Sequence, residues 1–492
     1  MKNQLIVLIF LMPFLSLAQN LYIPSNATIG IANGAEVHAE GVILNNGLIS
    51  ATGTGGVSSG RDINNNGIIT VTTGDVTIDG DLHNVNQLTV NSGSQFVVAG
   101  DLTNENLLSL GPQTHLSIGR DMINDGNLIS AGEISISGNW TNNNITNLSD
   151  ASIRFTGSGD QVMNEVSSSQ LLLNGITMAS GGTTTITSQD VMVSSSLDFQ
   201  SGILQPGTNT RVIMEGDAEA SGGFTNAYYN GTLIYRGTGY QYFPVGNNGH
   251  FGPIELDNIY GTDPEIAVSH LWTNPDDPIP GEDLIGVSSN GLWQVERLSG
   301  TFDSSKVFLD FIDEDLENFV ISNDFDASYT SPAVANADSM GGVFLSLGVE
   351  LLENTDSLTY GRILSDAPLT FSDTSDIRYI AIAKAPLVPP EGVVYIPEVF
   401  SPNATALENQ TFRFFGERIS SDGFLMQVFN RRRVKVYETS SFEMANTEGW
   451  DGTHNNYPEP SGTYYYRINF SIVRLDGTIE ERQESGEVYL IR

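Results

Sequence analysis

From Gly41 to about residue 145 the chain repeats itself at a step of roughly 20 residues, and so short a step leaves few folds open. The copies are GVILNNGLIS from Gly41, GRDINNNGIITV from Gly60, GDLHNVNQLTV from Gly80, GDLTNENLLSL from Gly100, GRDMINDGNLIS from Gly119 and GNWTNNN from Gly138. Each reads as glycine, commonly aspartate, an apolar residue, an asparagine two positions on, and then a short apolar alternation. A second alternating run precedes the next glycine, as in Val76–Ile78, Phe96–Val98, Leu116–Ile118 and Ile134–Ile136. Period-2 strands cut by Gly and Asn turns at a fixed step fit one coil of a parallel β-helix. An up-and-down antiparallel array is the weaker choice, because strands this short carry no hairpin signature. One coil buries only a few apolar residues, so it is stable only when stacked on its neighbours. Stacking would place Asn45, Asn65, Asn84, Asn104, Asn124 and Asn142 in one internal column, with the amides bonding along it.

The rest of the chain also reads as β. Its 51 glycines and only 16% charged residues suit turns and strands, while 39% hydrophobic residues in periodic runs speak against disorder. There is no cysteine, so burial and sheet hydrogen bonds must hold the fold. Past residue 150 the strict step fades but alternation with hydroxyl residues continues, and a right-handed parallel β-helix-like solenoid is expected over residues 19–225. Residues 226–385 carry more aromatics and longer strands, such as Lys306–Phe311, Gly342–Leu347 and Arg378–Ala383, and read as a β-sandwich. Ala385-Pro386-Leu387-Val388-Pro389-Pro390-Glu391-Gly392 then reads as a stiff linker over 386–392, setting off residues 393–492.

Charge excludes some partners. A formal net charge of −37 makes the chain a poor candidate for binding nucleic acid or an anionic membrane, both of which require clustered cations. Ten of the 21 Lys and Arg nevertheless lie after residue 392. At the other end, Met1-Lys2 is followed by an apolar run from Leu5 to Leu15, shorter than the roughly 20 residues a helix needs to span a bilayer, and then by Ser16-Leu17-Ala18. This reads as a signal peptide over 1–18, leaving no transmembrane segment in the mature chain.

The last hundred residues carry YIPEVFSPN, FNRRRVKVYET, GWDGTHNNYPEPSGTYYYRINF and GEVYLIR. In their order they resemble the gliding-motility-associated C-terminal domain, the type B sorting domain of the type IX secretion system of Bacteroidota. The residues that carry the likeness are Phe400, Pro402, Asn403, Asn430, Arg431, Trp450, Asp451, Gly452, Gly462, Tyr464 and Arg492. The resemblance implies an Ig-like β-sandwich and a signal that engages the secretion machinery and an outer-membrane partner. It also implies a secreted or cell-surface protein, exported across the inner membrane and then by the type IX system. Two pieces depart from the family. Its Asp/Asn/Gly-rich loop is here Ala404-Thr405-Ala406-Leu407-Glu408-Asn409-Gln410, so no metal site is carried over, and its N-R-W-G turn is here Asn430-Arg431-Arg432-Arg433.

Catalytic patterns are sparse. Gly56-Val57-Ser58-Ser59-Gly60 matches G-x-S-x-G, but that pattern needs a strand-turn-helix setting and here sits inside a repeat turn. Asp62, Asp81, Asp101 and Asp121 fall at one repeat position, about 4.8 Å apart if stacked, a spacing at which carboxylates can act on glycosides or hold calcium. Their recurrence favours a turn-capping role, since a catalytic pair should occur once. The only cations between Gln19 and Asp150 are Arg61 and Arg120, too few for lyase chemistry. His38, His83, His115, His250, His270 and His454 lack zinc-site spacing, and the clusters 313–317 and 274–277 could hold calcium only loosely. The expectation is no cofactor and a non-enzymatic, structural or adhesin-like protein at the cell surface. The rival is an extracellular carbohydrate-binding or carbohydrate-active β-helix protein, and surface polysaccharide is a candidate partner.

Overall fold

The computed structural model is nearly all β, with 2% helix, and it describes residues 6–9, 14–17 and 19–492. Within that last span residues 145, 167–169, 189, 274–277, 313–318, 322–329, 349, 352–359, 372–374, 387–393, 407–408, 417 and 474–478 are outside the description. Both calcium-candidate acid clusters and nearly all of the 386–392 linker therefore fall outside the described residues. The chain forms two units, Met1–Pro386 and Leu387–Arg492.

The first unit opens with a β-solenoid of about 11 turns. A coil has three short strands, for example Leu48–Ala51, Gly56–Ser59 and Ile63–Asn65. Each pairs in parallel and in register with its counterpart one coil on: Ile68–Val71, Val76–Ile78 and Leu82–Asn84. Alternation then aims every second side chain inward. Ile49, Ile69, Leu88, Leu108 and Leu128 form one buried column, and Ile63, Leu82, Leu102, Met122 and Trp140 another. Burying each such side chain contributes about 1.5–3 kcal/mol, but only once the neighbouring coil covers it.

A third column is polar. Asn45 Nδ2 donates to Asn65 Oδ1 at 2.7 Å, and the same bond recurs from Asn65 to Asn84, Asn84 to Asn104, Asn104 to Asn124 and Asn124 to Asn142 at 2.6–2.7 Å. The second amide hydrogen reaches strand carbonyls, such as Leu107 O from Asn84 at 2.8 Å. Every bond in the column points the same way. It ends at Glu165, whose carboxylate accepts from Asn142 Nδ2 at 2.7 Å and Trp140 Nε1 at 2.8 Å. Burial pushes the Glu165 carboxyl up to about 7, against the pull of those two donors.

Past residue 170 the strands of a coil run together. Leu171–Thr187 and Asp190–Pro206 are single 17-residue strands that pair along their whole length through several bulges. Parallel stacking continues beyond the expected boundary at 225: Ala227–Tyr229 pairs with the segment around Ile203, and Leu233–Arg236 pairs with Val212–Glu215. On its other side Leu233–Arg236 pairs antiparallel with Glu265–Thr273, which begins a run through Gly286–Ser299, Ile377–Pro386 and Thr330–Ala337. A second antiparallel sheet holds Gly239–Phe243, Ile254–Tyr260, Ser304–Ile312, Tyr360–Leu364 and Glu350–Leu351. One continuous apolar core runs from Ile23 in the solenoid to Ile382 in the middle sheets.

The second unit is built on a five-stranded sheet of Val399–Phe400, Ile479–Leu490, Gly462–Val473, Ile419–Phe429 and Lys435–Thr439. The layer against it is made of shorter pieces, the ribbons Val394–Tyr395/Phe415–Gly416 and Thr453–His454/Tyr457–Pro458, and the helix Phe442–Thr447. Ser441 caps that helix by accepting from Met444 N at 3.2 Å. The core between them is rich in aromatics, among them Phe400, Phe412, Phe414, Phe424, Trp450 and Phe470.

Candidate functional site

The motif residues of the second unit converge on Trp450. Its backbone exchanges hydrogen bonds with Phe412, at 2.8 and 2.9 Å, which fixes the indole between two short elements. The buried ring packs 5.4 Å from Phe400 and edge-on 4.8 Å from Tyr464, while its Nε1 donates to Thr453 O at 2.8 Å. Asp451 turns the chain just after it by accepting from the Thr453 amide at 2.9 Å and hydroxyl at 2.8 Å. Gly452 has φ +77, and a Cβ there would lie 3.1–3.3 Å from Leu490, Arg492 and Pro402, so glycine is required on two counts.

Arg492 ties these pieces together. Its Nη2 donates to Gly452 O at 2.7 Å, its Nε to Glu459 O at 2.8 Å, and its amide to Ser461 Oγ at 3.0 Å. Tyr464 hydroxyl donates to Glu459 Oε2 at 3.0 Å and to Pro460 O at 2.8 Å. Burial, and then the Glu459 carboxylate, hold that phenol well above its ordinary range.

Asn430 organises the adjoining hairpin turn by accepting from Arg432 N and Val434 N, at 3.0 and 3.1 Å. Arg433 takes φ +61, the left-handed conformation, where the family's turn carries glycine. Arg431 lies over Gly462, with its Nη2 3.6 Å from where a Cβ would stand. Asn430, Arg431, Arg432, Gly462 and Tyr464 line one cleft of about 340 Å³, together with the 459–461 segment. Asn403 alone of the motif set is exposed and apart from these contacts. Reading the sequence singled out neither Phe412, which reaches Trp450 through a β-bridge, nor the part of Glu459, which receives Arg492 and Tyr464 through hydrogen bonds.

The solenoid aspartates have a different setting. Asp62, Asp81 and Asp101 each accept, through Oδ1, the backbone N–H of the aspartate one coil on, at 2.8–3.1 Å, and Asp121 accepts from Asn139 N at 2.7 Å. The same oxygen fills the space beside the following glycine: a Cβ on Gly100 would stand 2.0 Å from Asp81 Oδ1. That is why aspartate follows glycine in the repeat.

Ser58, the serine of the G-x-S-x-G match, is buried on strand Gly56–Ser59, 2.7 Å from His38 Nδ1 and hydrogen-bonded to Glu36. The carboxylate bonds the hydroxyl itself rather than the far imidazole nitrogen, and the strand continues into a coil turn with no helix following. The same three residue types meet further along the same sheet in a different arrangement: Glu133 contacts His115 Nδ1 at 3.1 Å, and Ser135 Oγ donates to Glu133 at 3.2 Å and lies 3.5 Å from His115 Nε2. His83 pairs with Glu105 at 2.6 Å, His454 with Glu459 at 3.7 Å, and His250 stacks on Trp272 at 3.5 Å. His270 is buried against Trp293, and that burial lowers it to about 4. Among the described residues no three His, Asp or Glu side chains stand close enough to hold a metal ion, and no helix is long and apolar enough to cross a membrane.

An all-β chain with a repetitive solenoid and a separate motif-bearing terminal unit is the class these observations define. Residues 394–490 match the CHU_C Type IX secretion signal domain. Such a signal implies export by the type IX system, interaction with its machinery, and a secreted or outer-surface protein. No curated protein and no solved structure matches the chain.

Proposed function

We propose that the chain is a structural or adhesin-like surface protein of a Bacteroidota cell. Residues 1–18 direct passage across the inner membrane, and residues 393–492 deliver the protein through the type IX system. The observation that carries this reading is the gathering of Phe400, Pro402, Trp450, Gly452 and Tyr464, within the segment that matches the secretion signal, into one packed assembly with Arg492 just beyond it. A non-catalytic body is supported by the solenoid's chemistry. Asp62, Asp81, Asp101 and Asp121 already accept backbone N–H groups, and the same arrangement repeats from coil to coil where a catalytic pair should occur once.

Deleting residues 393–492 is expected to leave the protein in the periplasm, read by fractionation. Normal amounts of truncated protein in the medium would overturn the export reading. The mature protein is expected to turn over none of a panel of acidic and neutral polysaccharides. Turnover that disappears in Asp101→Asn would instead favour the carbohydrate-active rival.

A further inference from the structure

Three consecutive arginines, Arg431, Arg432 and Arg433, occupy the exposed turn between strands Ile419–Phe429 and Lys435–Thr439. In a chain with 58 acidic and 21 basic residues, arginines would be expected to find carboxylates. These do not. The ion pairs of this unit join Lys435 to Glu438, His454 to Glu459 and Arg482 to Glu480, and among the described residues none engages the three arginines. Arg431 and Arg432 instead line the cleft of about 340 Å³, whose one carboxylate, Glu459, already accepts from Tyr464. Asn430 holds the turn that carries them, and Gly462 leaves room for the Arg431 guanidinium to lie against the strand.

We infer that this cleft binds a phosphate-bearing ligand through Arg431 and Arg432. Guanidinium forks match tetrahedral oxyanions with paired N–H donors, and Thr463 and Ser461 add neutral polar groups to the lining. The volume admits a phosphate together with part of what bears it. A recess suits a small oxyanion group better than an extended acidic protein face, which would meet the arginines on a flat patch. The inference goes beyond export and does not depend on it, since binding is read on purified protein.

The full chain is titrated calorimetrically with inorganic pyrophosphate, and separately with phosphatidylglycerol-containing and pure phosphatidylcholine vesicles. Saturable pyrophosphate binding is expected, weakened at least about 10-fold in Arg431→Gln/Arg432→Gln and nearly unchanged in Arg467→Gln, an exposed arginine of the same unit. If phosphatidylglycerol vesicles also bind in an Arg431- and Arg432-dependent way, the source is a lipid headgroup; if only pyrophosphate does, it is a soluble phosphorylated compound. The inference fails if neither binds, if the double variant binds as well as the parent, or if a polyglutamate peptide binds in preference to pyrophosphate. Unchanged circular dichroism in the double variant is expected, because both side chains are exposed.

Discussion

Glu165 terminates the asparagine column with an acceptor that has no proton to spare when ionised. Six successive asparagines donate toward it, and its two oxygens take Asn142 and Trp140 separately, one donor each. Burial sets the cost of that arrangement. The carboxyl is raised from 4.5 to about 7, so the folded state favours the neutral form. Below pH 4.5 folded and unfolded chains are both protonated here and no penalty exists. As pH climbs through 4.5 toward 7 the unfolded chain ionises first, and stability falls by on the order of 3 kcal/mol. Denaturant unfolding at pH 5 and pH 8 should therefore show a larger loss for the parent than for Glu165→Gln, and the comparison removes the general repulsion of an acidic chain. Equal losses would place Glu165 outside the titrating set. Nothing in the sequence marked this residue, since it follows Asn142 by 23 positions rather than 20 and carries a different side chain.

At the scale of elements, the coil is held by columns rather than by any single strand. A three-residue strand such as Leu102–Asn104 has no stability of its own, and gains it from in-register partners above and below. Asn104 belongs to both neighbours at once, donating to Asn124 and accepting from Asn84. Asn104→Ala strands the Asn84 donor in a dry interior, at a cost of roughly 1–3 kcal/mol, measured as a lowered unfolding midpoint. A midpoint within error of the parent would mean the column carries no net stability. The 20-residue step and the recurring Gly-Asp and Asn positions made coils, column and capping aspartates legible from sequence, because each depends on neighbours at a fixed offset. The partners of Ser58 were not legible in the same way. His38 lies one coil back, but its meeting with that hydroxyl needs the register of two faces.

For the whole molecule, the solenoid and the middle sheets share a core where the sequence suggested a boundary near residue 225. Its change of texture is real: the aromatics and longer strands begin there. Yet Leu233–Arg236 can be the last parallel strand and the first antiparallel one, since a strand has two hydrogen-bonding edges and each selects its partner's direction separately. The terminal segment, by contrast, is a unit of its own, Leu387–Arg492. The sequence by itself determined the β class, the coil and its polar column, and the family likeness of the terminal segment, all of which rest on local periodicity or ordered motifs. Only the tertiary structure decided that Glu165 ends the column, that Arg492 reaches Gly452 and Glu459, and that Arg431 and Arg432 border a recess. Those contacts join residues at irregular separations, and folding alone brings such residues within hydrogen-bond reach.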